Sequence, residues 1–183
     1  MSDLSRLSEA LGASERTLRR SAQSGLVRAD RISERRLRVP AAEQRYLEEH
    51  WPILSRLREV LRTEPNVRLA VLFGSTARGQ DGPDSDVDIV VELRDPDHFR
   101  LIELEDRLGN RIGRRVDLIR MSDAADEPGL MSEVLIDGRV VIDRERRWPD
   151  VARQRGRYAE RAERDGVART RSALERARDV ALG

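Results

Sequence analysis

The sequence predicts an α/β fold (α+β in its order of elements): a sheet with flanking helices, preceded by a small winged helix-turn-helix head. Three observations predict it. Between residues 65 and 145, apolar runs of strand length alternate with stretches of helical periodicity. Ahead of them, two short helical stretches meet at Gly12 and are followed by segments that mix apolar and basic residues. The charge is also divided. Residues 1–40 hold nine arginines (6, 16, 19, 20, 28, 31, 35, 36, 38) against five acids, whereas residues 67–119 hold eight arginines against eleven acids. Such a division suits two modules with different partners.

The elements follow in order. Leu4, Leu7 and Leu11 share one face of a short helix that stops at Gly12. Ser14 caps a second helix, Glu15 to Ser24, and Gly25 ends it, because a helix closes readily on a glycine in the left-handed conformation. Two helices joined by a tight glycine-containing turn outline a helix-turn-helix over residues 1–40. Its second helix carries Arg16, Thr17, Arg19 and Arg20, a set suited to DNA phosphates and base edges. Leu26-Val27-Arg28 and Arg36 to Val39 then pair as a wing. The competing reading of this head is a helical docking or dimerisation appendage.

Residues 41–64 form a connector helix in which Tyr46-Leu47, Trp51, Leu54, Leu57 and Val60-Leu61 recur at helical spacing, with Pro52 as a kink or restart. Residues 65–145 are the sheet domain. Val67 to Phe73 is an apolar strand apart from Arg68, and Asp86 to Leu93 is the next. A helix from about Pro96 to Leu108 carries Leu101, Leu104 and Leu108 as its core stripe; Arg115 to Arg120 is a third strand, Glu127 to Ile136 a helix and Arg139 to Ile142 a fourth strand. Residues 146–183 are a charged tail. Its Arg153 to Arg178 stretch reads as a solvated helix with a thin apolar stripe from Tyr158, Ala162, Val167, Leu174 and Ala177, weakened by Gly156 and Gly166.

Composition narrows the chemistry. With no cysteine among 183 residues, disulfides, thiolate metal sites and cysteine nucleophiles are excluded. With only two histidines, His50 and His98, a metal must be held by oxygen, which points to magnesium or manganese. Every basic residue is arginine, which excludes Schiff-base lysine chemistry and leaves arginine as the phosphate clamp. No stretch approaches the ~18 apolar residues of a membrane helix, and no signal peptide opens the chain, so the expectation is a cytoplasmic protein without a membrane partner.

Phe73-Gly74-Ser75-Thr76-Ala77-Arg78-Gly79 lies where a buried strand ends and a helix can begin. There backbone N–H groups are free to hold phosphate oxygens, glycine admits close approach, and Ser75 adds a hydroxyl. Ser85-Asp86-Val87-Asp88 begins ten residues after Ser75. Side chains two apart on a strand point the same way, so Asp86 and Asp88 stand side by side, a repulsive arrangement unless a cation lies between them. Asp117, between Val116 and Leu118, lies on a strand that can be their neighbour. Three converging carboxylates can hold two divalent ions ~3.5–4 Å apart for in-line displacement at phosphorus, with Asp117 also placed to accept a proton.

Gly74-Ser75 followed by Asp86-x-Asp88 and a later strand aspartate resembles the nucleotidyltransferase superfamily that shares the DNA polymerase beta palm. The compact Gly-Ser-x-Ala-Arg-Gly form is similar to the minimal nucleotidyltransferases, over roughly residues 67–143. The resemblance implies that Gly74, Ser75 and Arg78 bind the phosphates of ATP or another NTP. It further implies that Asp86, Asp88 and Asp117 are catalytic and hold two Mg2+ ions. Many such proteins resemble antitoxins that adenylylate a tyrosine of a HEPN-type ribonuclease toxin. The resemblance therefore implies such a toxin as partner and acceptor, with a head that binds operator DNA as a homodimer. The alternatives are an RNA-modifying nucleotidyltransferase toxin and a non-catalytic DNA-binding regulator. Arg45 and His50 match the Arg-to-His spacing of HEPN sites themselves, but one connector helix is too little for such a site.

Overall fold

The computed structural model describes residues 3–33, 36–95 and 97–167. The head comprises α1 (Asp3–Leu11), α2 (Glu15–Ser24) and a two-stranded antiparallel hairpin of β1 (Asp30–Arg31) and β2 (Leu37–Arg38). Ser14 caps α2 by accepting the Thr17 N–H at 3.1 Å, and Gly25 closes it in the left-handed region. A hairpin does follow the two helices, but its first strand lies later than the Leu26-Val27-Arg28 expected for a wing. Leu26 and Val27 are each 1 % exposed, so burial draws them into the core and out of the hairpin.

The connector is α3 (Ala41–Thr63), one helix that contains Pro52 without interruption. It buries Tyr46, Leu47, Trp51, Leu54, Leu57 and Leu61 along one side. Each such side chain contributes roughly 1.5–3 kcal/mol when fully withdrawn from water, which outweighs the single backbone bond lost at proline.

The sheet is mixed. Strands β3 (Val67–Phe73), β4 (Val87–Leu93), β5 (Val116–Arg120) and β6 (Arg139–Asp143) lie in the order β5-β4-β3-β6. Only β4 and β5 are parallel, joined through α5 (His98–Ile112) as a crossover of that kind requires. Asp97 caps α5 by accepting the Phe99 N–H at 2.9 Å, so the helix starts just after Pro96. Between β5 and β6 run α6 (Met121–Asp126) and α7 (Pro128–Asp137), of which only α7 is legible in the apolar periodicity.

Along β3, Ala70 and Leu72 face one core, with α3 and α5, whereas Leu69, Val71 and Phe73 face another, with α7. Cover on both faces explains why this strand is an unbroken apolar run. The first core is continuous from Leu4 of the head to Ile142 of β6. After β6 come α8 (Trp148–Ala152) and a helical stretch over residues 155–167. Tyr158 is 7 % exposed and joins the second core, so this part of the tail docks on the sheet. Leu174 and Ala177 lie outside the described residues.

Candidate active site

Strand register brings the site together. Asp88 of β4 is the register partner of Asp117 on parallel β5 and of Phe73 on antiparallel β3. Gly74-Ser75 therefore begins α4 (Gly74–Arg78) directly beside Asp88. Asp86 immediately precedes β4. Burial, then the charges of Asp117, Asp86 and Glu133, push the Asp88 carboxyl above the usual carboxylate range, while Arg78 opposes them.

Gly74 is fixed by this closeness. It has φ +71°, and a Cβ added to it would stand 2.3 Å from Asp88 Oδ2. No other residue fits there without displacing the carboxylate. Gly79 closes α4 with φ +72°, and a Cβ on it would meet the Tyr46 ring at 3.0 Å.

Asp86 and Asp117 are about two-fifths exposed, at 37 % and 39 %. Across them lies Arg115, whose Nε is 3.6 Å from Asp86 Oδ2 and 3.3 Å from Asp117 Oδ1. The two carboxylates raise the Arg115 pKa in return. Sequence reasoning missed this residue, although an arginine two positions before a strand aspartate lies on the same face of the strand. No three acidic or histidine side chains among the described residues form a ready-made cation cage. The donor set nonetheless suits a divalent oxygen-loving ion: three carboxylates, mutual repulsion at Asp88, and a cationic side chain spanning two of them.

A buried network fixes the loop between α4 and β4. Asp81, 5 % exposed, accepts Arg114 Nη1 at 2.6 Å and pairs with His50 Nε2 at 2.8 Å. Burial raises the Asp81 pKa, but the bonds from Arg114 and His50 outweigh it and leave the carboxyl below its ordinary value. Arg114 also donates to the Ser85 carbonyl, just before Asp86. His50 stacks on Tyr46 with ring centroids 4.4 Å apart, and Nδ1 meets the Tyr46 carbonyl at 3.0 Å. The Tyr46 hydroxyl donates to the Thr76 carbonyl inside α4; burial pushes its pKa up to about 12. His50 therefore belongs to the support of α4, consistent with setting aside the Arg45–His50 spacing as a ribonuclease site.

Arg78, expected to bind phosphates, instead bonds Gln80 Oε1 at 3.0 Å and Asp137 Oδ2 at 3.2 Å. In the head, Leu18 and Ser21 of α2 are buried and Arg16 and Arg20 are exposed. Thr17 Oγ1 lies 2.9 Å from Ser14 Oγ, and Arg19 lies 3.7 Å from Glu15.

A carboxylate pair on adjacent strands beside a Gly-Ser helix start is an arrangement that fits nucleotidyl transfer. The chain belongs to the polymerase beta nucleotidyltransferase family, whose model matches residues 55–147. Among its relatives, the protein adenylyltransferase MntA of Thermococcus cleftensis is 43 % identical over 77 residues, 42 % of this chain and 78 % of that protein. A Methanocaldococcus jannaschii protein with the provisional name of protein adenylyltransferase is 40 % identical over 74 residues, 40 % of this chain and 86 % of its own length. Solved structures share the fold. A chain of a toxin–antitoxin complex with AMP-PNP superposes with a TM-score of 0.55 at 23 % identity, covering 66 % of this chain and 98 % of that one. A chain of the tri-AMPylated Shewanella oneidensis HEPN toxin bound to its MNT antitoxin gives 0.51 at 21 % identity, covering 67 % of this chain and 96 % of that one. No helix among the described residues is long and apolar enough to cross a membrane.

Proposed function

We propose that this chain is a magnesium-dependent adenylyltransferase that acts as the antitoxin of a toxin–antitoxin pair, moving AMP from ATP to a hydroxyl of a HEPN-type toxin. The observation that carries the reading is the pairing of Asp88 with Asp117 across β4 and β5, with Gly74 pressed against Asp88. The names of the relatives, protein adenylyltransferases, and the toxin complexes among the structural neighbours favour this donor and acceptor.

Gly74, Ser75 and the first N–H groups of α4 receive the triphosphate, whose oxygens accept the free helix-start donors. Asp86, Asp88 and Asp117 would hold magnesium, which when bound supplies positive charge to the triphosphate and lowers the pKa of the acceptor hydroxyl. The acceptor oxygen attacks the α-phosphorus and forms the new O–P bond. The bond from that phosphorus to the bridging oxygen breaks on the opposite side, and pyrophosphate leaves. Asp117, whose side chain is 39 % exposed, takes the hydroxyl proton. A regulator with no chemistry would gain nothing from keeping Asp88 half-buried and repelled by three other carboxylates.

The head adds operator DNA binding through Arg16, Thr17, Arg19 and Arg20 of α2, supported by the order α1, α2, hairpin, which is that of a winged helix-turn-helix. A homodimer is the form that reads a two-fold related operator.

The test is incubation with labelled ATP, GTP, CTP or UTP and magnesium, with and without the protein encoded by the adjacent gene. An Asp86→Asn, Asp88→Asn variant serves as control. Label from ATP on that protein, absent with the control, is the expected result. Label on RNA instead would place the chain among RNA-modifying toxins, and no label anywhere, with operator binding intact, would leave only the regulator.

A further inference from the structure

Among the described residues, two buried side-chain nitrogens have no hydrogen-bond partner, Arg58 Nε and Arg120 Nε. Arg120 has His98 within 3.3 Å of its Nη2. Arg58 is the sharper case. It stands on α3 where that helix meets α2, and among the described residues its only side-chain hydrogen bond is from Nη1 to Ser21 Oγ, 2.9 Å. Burial, then the positive charges of Arg62 and Arg20, lower the Arg58 pKa.

Two open cavities, of about 270 and 450 Å3, share Arg20, Arg58 and Arg62 in their walls. The acids that border them are engaged elsewhere. Glu59 accepts Arg111 Nη2 at 2.6 Å, and Asp143 accepts the backbone N–H groups of Arg147 and Trp148. Three guanidinium groups thus converge, one of them half-buried, and none of them forms an ion pair among the described residues, although Asp143 borders one of the cavities. A buried donor without an acceptor costs stability, and a buried charge without a counter-charge costs more. The shortfall is in acceptor oxygens and negative charge together, and a phosphate group supplies both in the geometry that guanidinium groups match.

We propose that the cleft between α2, α3 and β6 is a phosphate-binding site in which Arg20, Arg58 and Arg62 hold a phosphate group, separate from the transferase centre. The separation follows from the sheet. The cleft borders Val141 to Arg144, the end of edge strand β6 that pairs with Leu69. Asp88 and Asp117 lie on β4 and β5, beside the opposite end of β3 at Phe73, and Asp86 just precedes β4. The site rests on neither the acceptor nor the catalytic reading. Its phosphate comes from a free phosphate compound or from a nucleic-acid backbone, and one experiment distinguishes the two.

The full chain carrying Asp86→Asn and Asp88→Asn, in EDTA, is titrated with inorganic pyrophosphate by calorimetry and thermal shift. It is titrated separately with a 20-base-pair DNA duplex across a salt series. Both are repeated with Arg58→Gln and Arg62→Ala added, and Arg20 is left in place because it also belongs to the proposed operator contacts; Arg62 is exposed and glutamine keeps an amide donor at position 58, so the fold is retained. Pyrophosphate should raise the Tm of the parent and bind the arginine variant at least tenfold more weakly. If duplex affinity also falls at least tenfold, with a salt slope smaller by roughly 2, the phosphate belongs to a nucleic-acid backbone. If duplex binding is unchanged, it belongs to a free compound. Absence of pyrophosphate binding to the parent, or equal binding of both probes by parent and variant, would overturn the site.

Discussion

Replacing Glu43 by alanine should destabilise the protein far more than a surface glutamate would. Arg139 and Glu43 are 2 % and 5 % exposed and form a bidentate pair at 2.6 and 2.9 Å. The guanidinium also lies 3.5 Å over the Tyr46 ring and donates to the Ala77 carbonyl at 2.8 Å, while Glu43 accepts the Arg28 N–H at 3.0 Å. Removing one partner of a buried pair costs about 3–5 kcal/mol. The carbonyl acceptors and the Tyr46 face remain for Arg139, which places this pair near the lower end, about 3 kcal/mol. The orphaned Arg28 N–H adds about 1 kcal/mol. A loss of about 4 kcal/mol is a large part of the 5–15 kcal/mol that holds a domain together. At about 2–4 °C per kcal/mol for this chain length, Tm should fall by about 8–16 °C.

The assay is thermal and urea denaturation followed by circular dichroism at pH 7. Glu43→Gln, which keeps the shape and one acceptor, should lose about half as much. Glu43→Leu with Arg139→Met removes both charges and should recover most of the loss, because an apolar pair of similar volume avoids the desolvation penalty. A loss below about 1 kcal/mol for Glu43→Ala, or a double variant as unstable as the two single losses added together, would refute the account of Arg139 as a charge that requires its partner.

Three further outcomes follow from the site. Gly74→Ala puts a Cβ 2.3 Å from Asp88 Oδ2 at φ +71°; transfer should fall at least about 100-fold, as expected for a reacting group moved by about 1 Å, and unchanged turnover would count against the placement of Asp88. Arg115→Ala removes the cation that spans Asp86 and Asp117; Mn2+ binding followed by EPR should tighten a few-fold at low salt, less at high salt, and weaker binding would make Arg115 part of the metal's support. Asp81 has its pKa lowered in the fold, so its contribution to stability is present above the ordinary carboxylate range and is lost as pH falls through the lowered value. The Tm gap between the protein and Asp81→Asn should therefore be widest near neutrality and close in acid; a gap independent of pH would exclude an ionised Asp81 as the source.

Much of the candidate site's geometry was legible because it depends on local pattern. The Gly-Ser turn, the two-residue spacing of Asp86 and Asp88, and the apolar strand before them are short-range features whose geometry follows from strand periodicity. That β5 can lie beside β4 was read from Asp117 between Val116 and Leu118, and the Asp88–Asp117 register agrees with it. What could not be read are pairings across long stretches of chain. Glu43 meets Arg139, and His50 meets Asp81, only because α3 lies against the sheet, and nothing in either segment marks its partner. The first hairpin strand lies later than expected for a related reason: Leu26 and Val27 have strand-forming character, but tertiary burial takes precedence over local preference. Arg115 was passed over because it was read as one more charge, when its position two residues before Asp117 was the signal.

The same long-range contacts decide how the head and the transferase centre relate. Composition changes near residue 40, yet the packing runs across that point. Leu4, Leu7 and Leu18 of the head share one core with Ala70 and Leu72 of β3. Val140 N–H donates to the Gly25 carbonyl at 3.2 Å, and Arg28 Nη2 to the Asp137 carbonyl at 2.8 Å. Arg139 then bonds Leu26 of the head, Glu43 of the connector and Ala77 of α4. One side chain thus ties the head to the helix that starts at Gly74, while Asp137 ties α7 to Arg28 through its carbonyl and to Arg78 through its carboxylate. The family match begins at residue 55, after the head. The head is therefore an addition to the transferase fold that is held by buried charge and shared core, and α2 keeps a fixed orientation to the carboxylates as long as the Glu43–Arg139 pair is intact.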